Sequence, residues 1–131
     1  MSTRFDNEGN IGSAPEYHEF PTEDGAEPDR MLRFPVFFDN SVLVDGTWQD
    51  RGGFWLPVEL RHADAQQWQL LYQKGMRVAV RGRLVKSTWL DADQKEQAAL
   101  KVRARVVAIL PHRIESITLS PKAPATSDPH E

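Results

Sequence analysis

An all-β domain carrying a single helix is the fold class this sequence predicts, and three observations carry it. Apolar residues recur at every second position through four long stretches, one stretch among them switches to helical spacing, and Gly, Pro, Asn and Asp gather in the gaps. The 131 residues suit one hydrophobic core. Hydrophobic residues at 40% and charged residues at 27% are ordinary for a globular protein, which argues against wholesale disorder and membrane residence. No stretch approaches the run of about 18 apolar residues that a membrane helix needs. The start, MSTRFDNEGN, lacks the basic and apolar run of a secretory signal, and without cysteine there is neither a disulfide framework nor a thiolate metal site. A cytoplasmic protein with a self-sufficient core is expected.

Residues 1–30 are rich in Gly and Pro and poor in apolar positions, so they read as an extended or looped arm opening with one short strand. From Met31 to Asp39, Leu32, Phe34, Val36 and Phe38 share one parity, the period of a half-buried strand. Pro35 cannot donate to a ladder, which predicts an edge or a bulge there. Ser41–Gln49 is the next strand; Asp50-Arg51-Gly52-Gly53 then turns the chain into Phe54–Leu60, and the two read as a hairpin. In the second arm Phe54, Leu56, Val58 and Leu60 make the core face, with Trp55, Pro57, Glu59 and Arg61 opposite.

Helical spacing follows, with Ala65, Trp68, Leu71 and Tyr72 on one face, Asp64 as N-cap and Lys74-Gly75 as the stop, about three turns in all. Met76–Leu90 returns to alternation, with Gly82 inviting a bulge. After a turn at Asp91-Ala92-Asp93-Gln94, Lys95–Leu110 runs back with Leu100, Val102, Ala104, Val106 and Ala108 on the apolar parity. Ile114–Leu119 reads as a last strand or packing segment. Three strands, a helix and two strands is the element order of the five-stranded OB-fold barrel, with the helix between strands three and four. Residues 1–119 form one such domain, and the Pro/Ser/Ala-rich 120–131 form a disordered tail.

The net charge of −3 conceals an asymmetry. Residues 1–30 hold two basic and eight acidic residues, whereas residues 31–119 hold thirteen basic and nine acidic. An acidic arm therefore masks a basic body, a pattern that suggests a polyanion-binding surface. The run from Glu16 to Asp29 could then lie across the basic face and compete with phosphate.

Nothing in the sequence assembles a catalytic centre. His18, His62, His112 and His130 are scattered without metal-helix spacing, and the Asp91/Asp93 pair sits in a turn that favours Asp for backbone reasons. No phosphate loop, nucleophile elbow or dinucleotide fingerprint is present, so the chain reads as a non-enzyme that needs no cofactor and no metal.

What the strands carry on their non-core parity is aromatic and cationic. Trp55 and Arg61 lie on one strand, Arg77, Arg81, Arg83 and Trp89 on another, and Lys101, Arg103 and Arg105 on a third. Lys86 falls on the opposite parity and Trp48 near a hairpin tip. Bases stack on exposed aromatic rings for about 1–3 kcal/mol each while cations follow the phosphates, so this mixture suits single-stranded DNA or RNA. Paired DNA hides the base faces. The competing reading places Trp55 and Trp89 in a subunit interface of a structural or protein-interaction OB module, such as a primosomal accessory protein.

These segments together resemble the bacterial single-stranded DNA-binding proteins. Glu8-Gly9-Asn10-Ile11-Gly12-Ser13-Ala14-Pro15-Glu16 is similar to the family's G-N-L-G-x-x-P-E stretch, and Trp55–Leu60 to its W-x-x-V-x-L/F strand. Ala65–Gly75 resembles its helix ending in Y-L-x-K-G, Met76–Trp89 its V-x-V-x-G-x-L-x-x-x-x-W strand, and Asp91–Glu96 its D-x-x-G-x-x hairpin. The resemblance implies an OB barrel that forms a homo-oligomer, dimer or tetramer, and wraps single-stranded DNA without sequence preference in replication, recombination or transfer. It places stacking tryptophans at Trp55, Trp89 and Trp48.

The chain also departs from the family pattern. A further family aromatic falls on Arg61, and the cations that precede the late Trp fall on Val85, Ser87 and Thr88, leaving Lys86. Arg81 and Arg83 stand where the family often has acidic or neutral residues. Pro35 and Pro57 interrupt strands of the family's sheet. The ending Ser127-Asp128-Pro129-His130-Glu131 lacks the acidic Pro-Phe tip, so tail-mediated recruitment of replication proteins is not supported. A divergent member carried by a mobile element would fit these departures.

Overall fold

Leu32, Phe34, Val36 and Phe38 are all buried, as their shared parity requires, and the strand that carries them organises the rest. The structure is a computed structural model and describes residues 2–122. In chain order the elements are β1 (Ser2–Ile11), β2 (Glu16–Phe20), β3 (Asp29–Phe38), β4 (Ser41–Val44), β5 (Thr47–Asp50), β6 (Phe54–Arg61), α1 (Ala65–Trp68), β7 (Arg77–Leu90) and β8 (Glu96–Ile109). The main sheet runs β1-β7-β8-β6-β3, with β2 beyond β3, and β1 pairs back onto β3. Five strands therefore close into a ring, the OB barrel that the element order predicts, with α1 between β6 and β7. Residues 123–131, where most of the expected disordered tail falls, lie outside the described residues.

Several expectations need correction. The N-terminal residues are not an arm: β1 is ten residues long and pairs with β7 from Ser2↔Val85 to Asn10↔Arg77. Glu16–Phe20 is a strand that pairs with β3 and does not lie across the barrel. β6 does not pair with Ser41–Gln49. Its antiparallel partner is β3, from Met31↔Arg61 to Phe38↔Phe54, while β4 and β5 fold on each other as a separate small hairpin. Phe54 is therefore at a barrel end, where it is partly exposed. The helix stops after Trp68. Beyond it, the i→i−4 bond from the Gln69 N–H to the Ala65 carbonyl gives way to a tighter bond from Leu71 to Trp68, and Leu70 and Leu71 turn to solvent. Asp64 occupies the N-cap position without a side-chain cap bond. Ile114–Leu119 forms no strand.

Two backbone features shape the outer surface. Pro35 and Pro57 stand directly opposite each other in the β3–β6 ladder. Neither has an N–H, so they form a non-hydrogen-bonded pair and the ladder continues through them. Pro35 also lies where the second edge of β3 passes from β2, ending at Arg33, to β1, starting at Val36. The edge expected at Pro35 is thus two residues wide, Phe34 and Pro35.

The second feature is a bulge: Gly82 pairs with Ala104 but Arg81 with Val106, so Arg105 is the extra residue in β8. The inward parity of β8 flips there. Val102, Ala104 and Val107 are buried, whereas Val106 and Ala108, expected inside, are exposed. Leu100 is likewise exposed, because the far halves of β7 and β8 extend past the barrel as a two-stranded arm that β6, paired with β8 only from Val58 to Leu60, does not accompany.

Candidate nucleic-acid interface

Strand register builds the outer face row by row. Arg33 of β3 is level with Glu59 of β6, Glu59 with Arg103 of β8, Arg103 with Arg83 of β7, and Arg83 with Arg4 of β1. The four arginines are exposed, while Glu59 is buried on what is otherwise a solvent face. Lys101 accounts for it: its ammonium lies 3.1 Å from Oε1 of Glu59 and donates to Oε2 at 3.3 Å.

Trp55 precedes Glu59 by four residues on the same parity, about 13 Å along an extended strand. Trp89 follows Arg83 by six, about 20 Å. Because β6 and β8 are parallel and β7 is antiparallel to β8, both tryptophans stand on the same side of the arginine row. They are 58% and 49% exposed. Because β6 pairs with β8 only over Val58–Leu60, β6 and the β7–β8 arm part beyond that point. The outward face at this cleft carries Trp55 on β6, Trp89 on β7, Arg83 and Arg103 in the row, and Lys101 two residues before Arg103.

Trp55 has company that the sequence reading left out. Its ring leans on Phe37, with centroids 5.1 Å apart, and Phe37 is itself exposed on the outward parity of β3. The benzo ring of the indole packs against Gly12, where an added Cβ would come within 2.7 Å of Cη2. Gly12→Ala is therefore expected to lift the ring off its seat while keeping the backbone bond from the Gly12 N–H to the Pro35 carbonyl. The check is a rise in acrylamide quenching of Trp fluorescence with the melting temperature nearly unchanged.

Other candidates lie apart. Arg61 is held by Asp29 at 3.2 Å and Arg81 by Asp6 at 3.7 Å. Lys86 is on the other face of the arm from Trp89, and Arg105 sits exposed in the bulge. Trp48, level with Leu43 on the β4–β5 hairpin, lines a separate groove with Asp6, Glu8, Asp39 and Arg77, where carboxylates outnumber cations.

Arg77 is the most engaged. Its guanidinium hydrogen-bonds both oxygens of Asp39 and donates to Asn10 at 2.8 Å, with Glu8 at 3.4 Å. Hydrogen bonds from Arg77 hold the Asp39 carboxyl below its usual range, against a smaller opposing effect of burial. A depressed carboxylate stabilises the fold above its unfolded value, near pH 4, and loses that contribution as pH falls through the folded value. Asp39→Asn should cost about 1 kcal/mol at pH 7, modest because Asp39 is partly exposed, and urea titrations should show the gap to wild type closing below about pH 4.

A family model for the single-strand binding protein family matches residues 8–110, from within β1 through the end of β8. The chain belongs to the single-strand binding protein family. This membership supports single-stranded DNA binding and indicates a binding protein rather than a catalyst.

The solved structures similar to this family member share its fold at low identity. The small single-stranded DNA-binding protein from Streptomyces coelicolor has a TM-score of 0.64 and 16% identity, over 86% of this chain and 98% of that one. A deletion mutant of the single-stranded DNA-binding protein from Thermus aquaticus gives 0.62 and 22%, over 84% of this chain and 51% of that one. The Plasmodium falciparum SSB in complex with single-stranded DNA gives 0.60 and 15%, over 82% and 93%. No curated protein sequence matches the chain. No helix among the described residues of this family member is long and apolar enough to cross a membrane.

Proposed function

We propose that the cleft between β6 and the β7–β8 arm binds single-stranded DNA without sequence preference, by stacking bases on Trp55 and Trp89 and neutralising phosphates with Arg83 and Arg103. The observation that carries this reading is the placement of two half-exposed indoles on one side of a row of arginines that make no ion pair among the described residues. Stacking needs an open π-face, which every base can use, and this explains binding without a sequence code. Phe37 adds a third ring beside Trp55. Lys101 lies beside Arg103 but is held by Glu59, and Lys86, Arg105 and Trp48 fall outside the cleft.

The protein acts as a homo-oligomer in this reading. β1 pairs with β3 only over Gly9–Ile11, so the edge before it is open to a strand of a second copy. Protecting or presenting single strands in replication, recombination or transfer is the role that such binding serves. Adding poly(dT) at low salt should quench the intrinsic Trp fluorescence, and a signal that stays flat across the titration rejects the proposal. Tryptophan variants that dissociate an oligomer yet keep full affinity would favour the subunit-interface reading instead.

A further inference from the structure

Like charges placed directly opposite each other destabilise a sheet, and nearby acids ordinarily relieve them. On this barrel, four outward cations have such relief: Arg61 from Asp29, Arg77 from Asp39 and Glu8, Arg81 from Asp6, and Lys101 from Glu59. Arg4, Arg83 and Arg103 do not. They are in register on three adjacent strands, all exposed, and none makes an ion pair among the described residues. Two strand spacings, about 10 Å, separate the first from the last. Folding alone gives no reason to line up three guanidinium groups, whereas an anion laid across them removes the repulsion.

The acids are arranged about this row in an ordered way. Asp6 pairs with Arg81 two residues beyond Arg83 along β7, on the side away from Trp89. Asp29 pairs with Arg61 two residues beyond Glu59 along β6, on the side away from Trp55. The row is bordered by tryptophans on one side and by neutralised arginines on the other.

Resting on the single-strand reading of the cleft, we infer that Arg4, Arg83 and Arg103 form the track for the strand's phosphates. Asp6 and Asp29 confine the strand to that track by keeping Arg81 and Arg61 occupied. The backbone then crosses the strands instead of following them, and it turns its bases toward Trp55 and Trp89. Arg4 becomes a binding residue contributed by β1, and the N-terminal acids act on specificity of path through two defined pairs.

The test is the salt dependence of binding to a labelled oligo(dT), read by fluorescence anisotropy so that no tryptophan signal is needed. Each phosphate neutralised on a single strand contributes about 0.7 to the slope of log affinity against log salt. Arg4→Gln and Arg103→Gln should each lower the slope by about 0.7, while Arg81→Gln leaves it unchanged. Asp6→Asn and Asp29→Asn should each free an arginine and raise the slope by up to about 0.7, a gain that a damaged fold cannot imitate. An unchanged slope in Arg4→Gln, or Arg81→Gln flattening it as much as Arg103→Gln, overturns the partition while leaving single-strand binding intact. Wild-type protein that fails to bind oligo(dT) at low salt overturns the binding reading, and the track with it.

Discussion

Trp55→Ala lowers the affinity for oligo(dT) by about 1–3 kcal/mol, roughly five- to 150-fold, and removes a large part of the fluorescence quench. The expectation follows from how the ring is held. It is exposed over more than half its surface, yet it is not free, since Gly12 packs against its benzo ring and Phe37 braces one side. A ring fixed in this way has little orientational freedom to lose when a base stacks on it, so most of the stacking energy appears as affinity. The cost to the fold is limited to the aromatic pair with Phe37, about 1 kcal/mol. Titration of the variant alongside a thermal melt separates the two effects. Affinity within twofold of wild type, with the fold intact, would remove Trp55 from the interface.

Gly82→Val, on the core-facing parity of β7, should be strongly destabilising, costing about 3 kcal/mol or more and lowering the melting temperature by more than 10 °C. A Cβ at this position would press on the Arg103 carbonyl oxygen and sit 2.7 Å from the Ala104 Cα. Both obstacles are backbone, so no side chain can swing away. The bulge that brings the strands this close also sets the parity switch of β8, so easing the clash means giving up the register that buries Val102 and Ala104 on one side of it and Val107 on the other. A chemical-denaturation curve checks the magnitude. A variant as stable as wild type would show that the β7–β8 pairing slips at little cost.

Much of this was legible in the sequence. Leu32 to Phe38 and Met76 to Leu84 alternate cleanly because one side of each faces the core and the other faces solvent. β1 was illegible for the opposite reason. Its inward positions include Thr3, Asn7 and Gly9, with Phe5 and Ile11 as the large apolar residues, so the period-2 signal never rises above its surroundings. The parity switch in β8 was hidden because Val106, Val107, Ala108 and Ile109 are all apolar, and a register slip leaves no mark on such a run.

For the proposed site, Trp55, Trp89, Arg83 and Arg103 are legible from parity. Phe37 and Arg33 carried the same signal, as outward residues on a recognised strand. Arg4 could not be found without β1. Which arginines were already taken was also beyond the sequence, because Asp6 and Arg81, or Asp29 and Arg61, meet only through strand pairing.

Pro35 has a consequence for how copies of this protein behave in a crowded cell. A bare strand edge invites a neighbouring chain to hydrogen-bond to it, the first step towards sticky, sheet-to-sheet aggregates. In the two-residue gap where neither β1 nor β2 pairs with β3, the ring of Pro35 offers no hydrogen to an intruder, and its carbonyl is already taken by the Gly12 amide at 2.9 Å. The residue that looks least suited to a strand is the one that seals it against unwanted company.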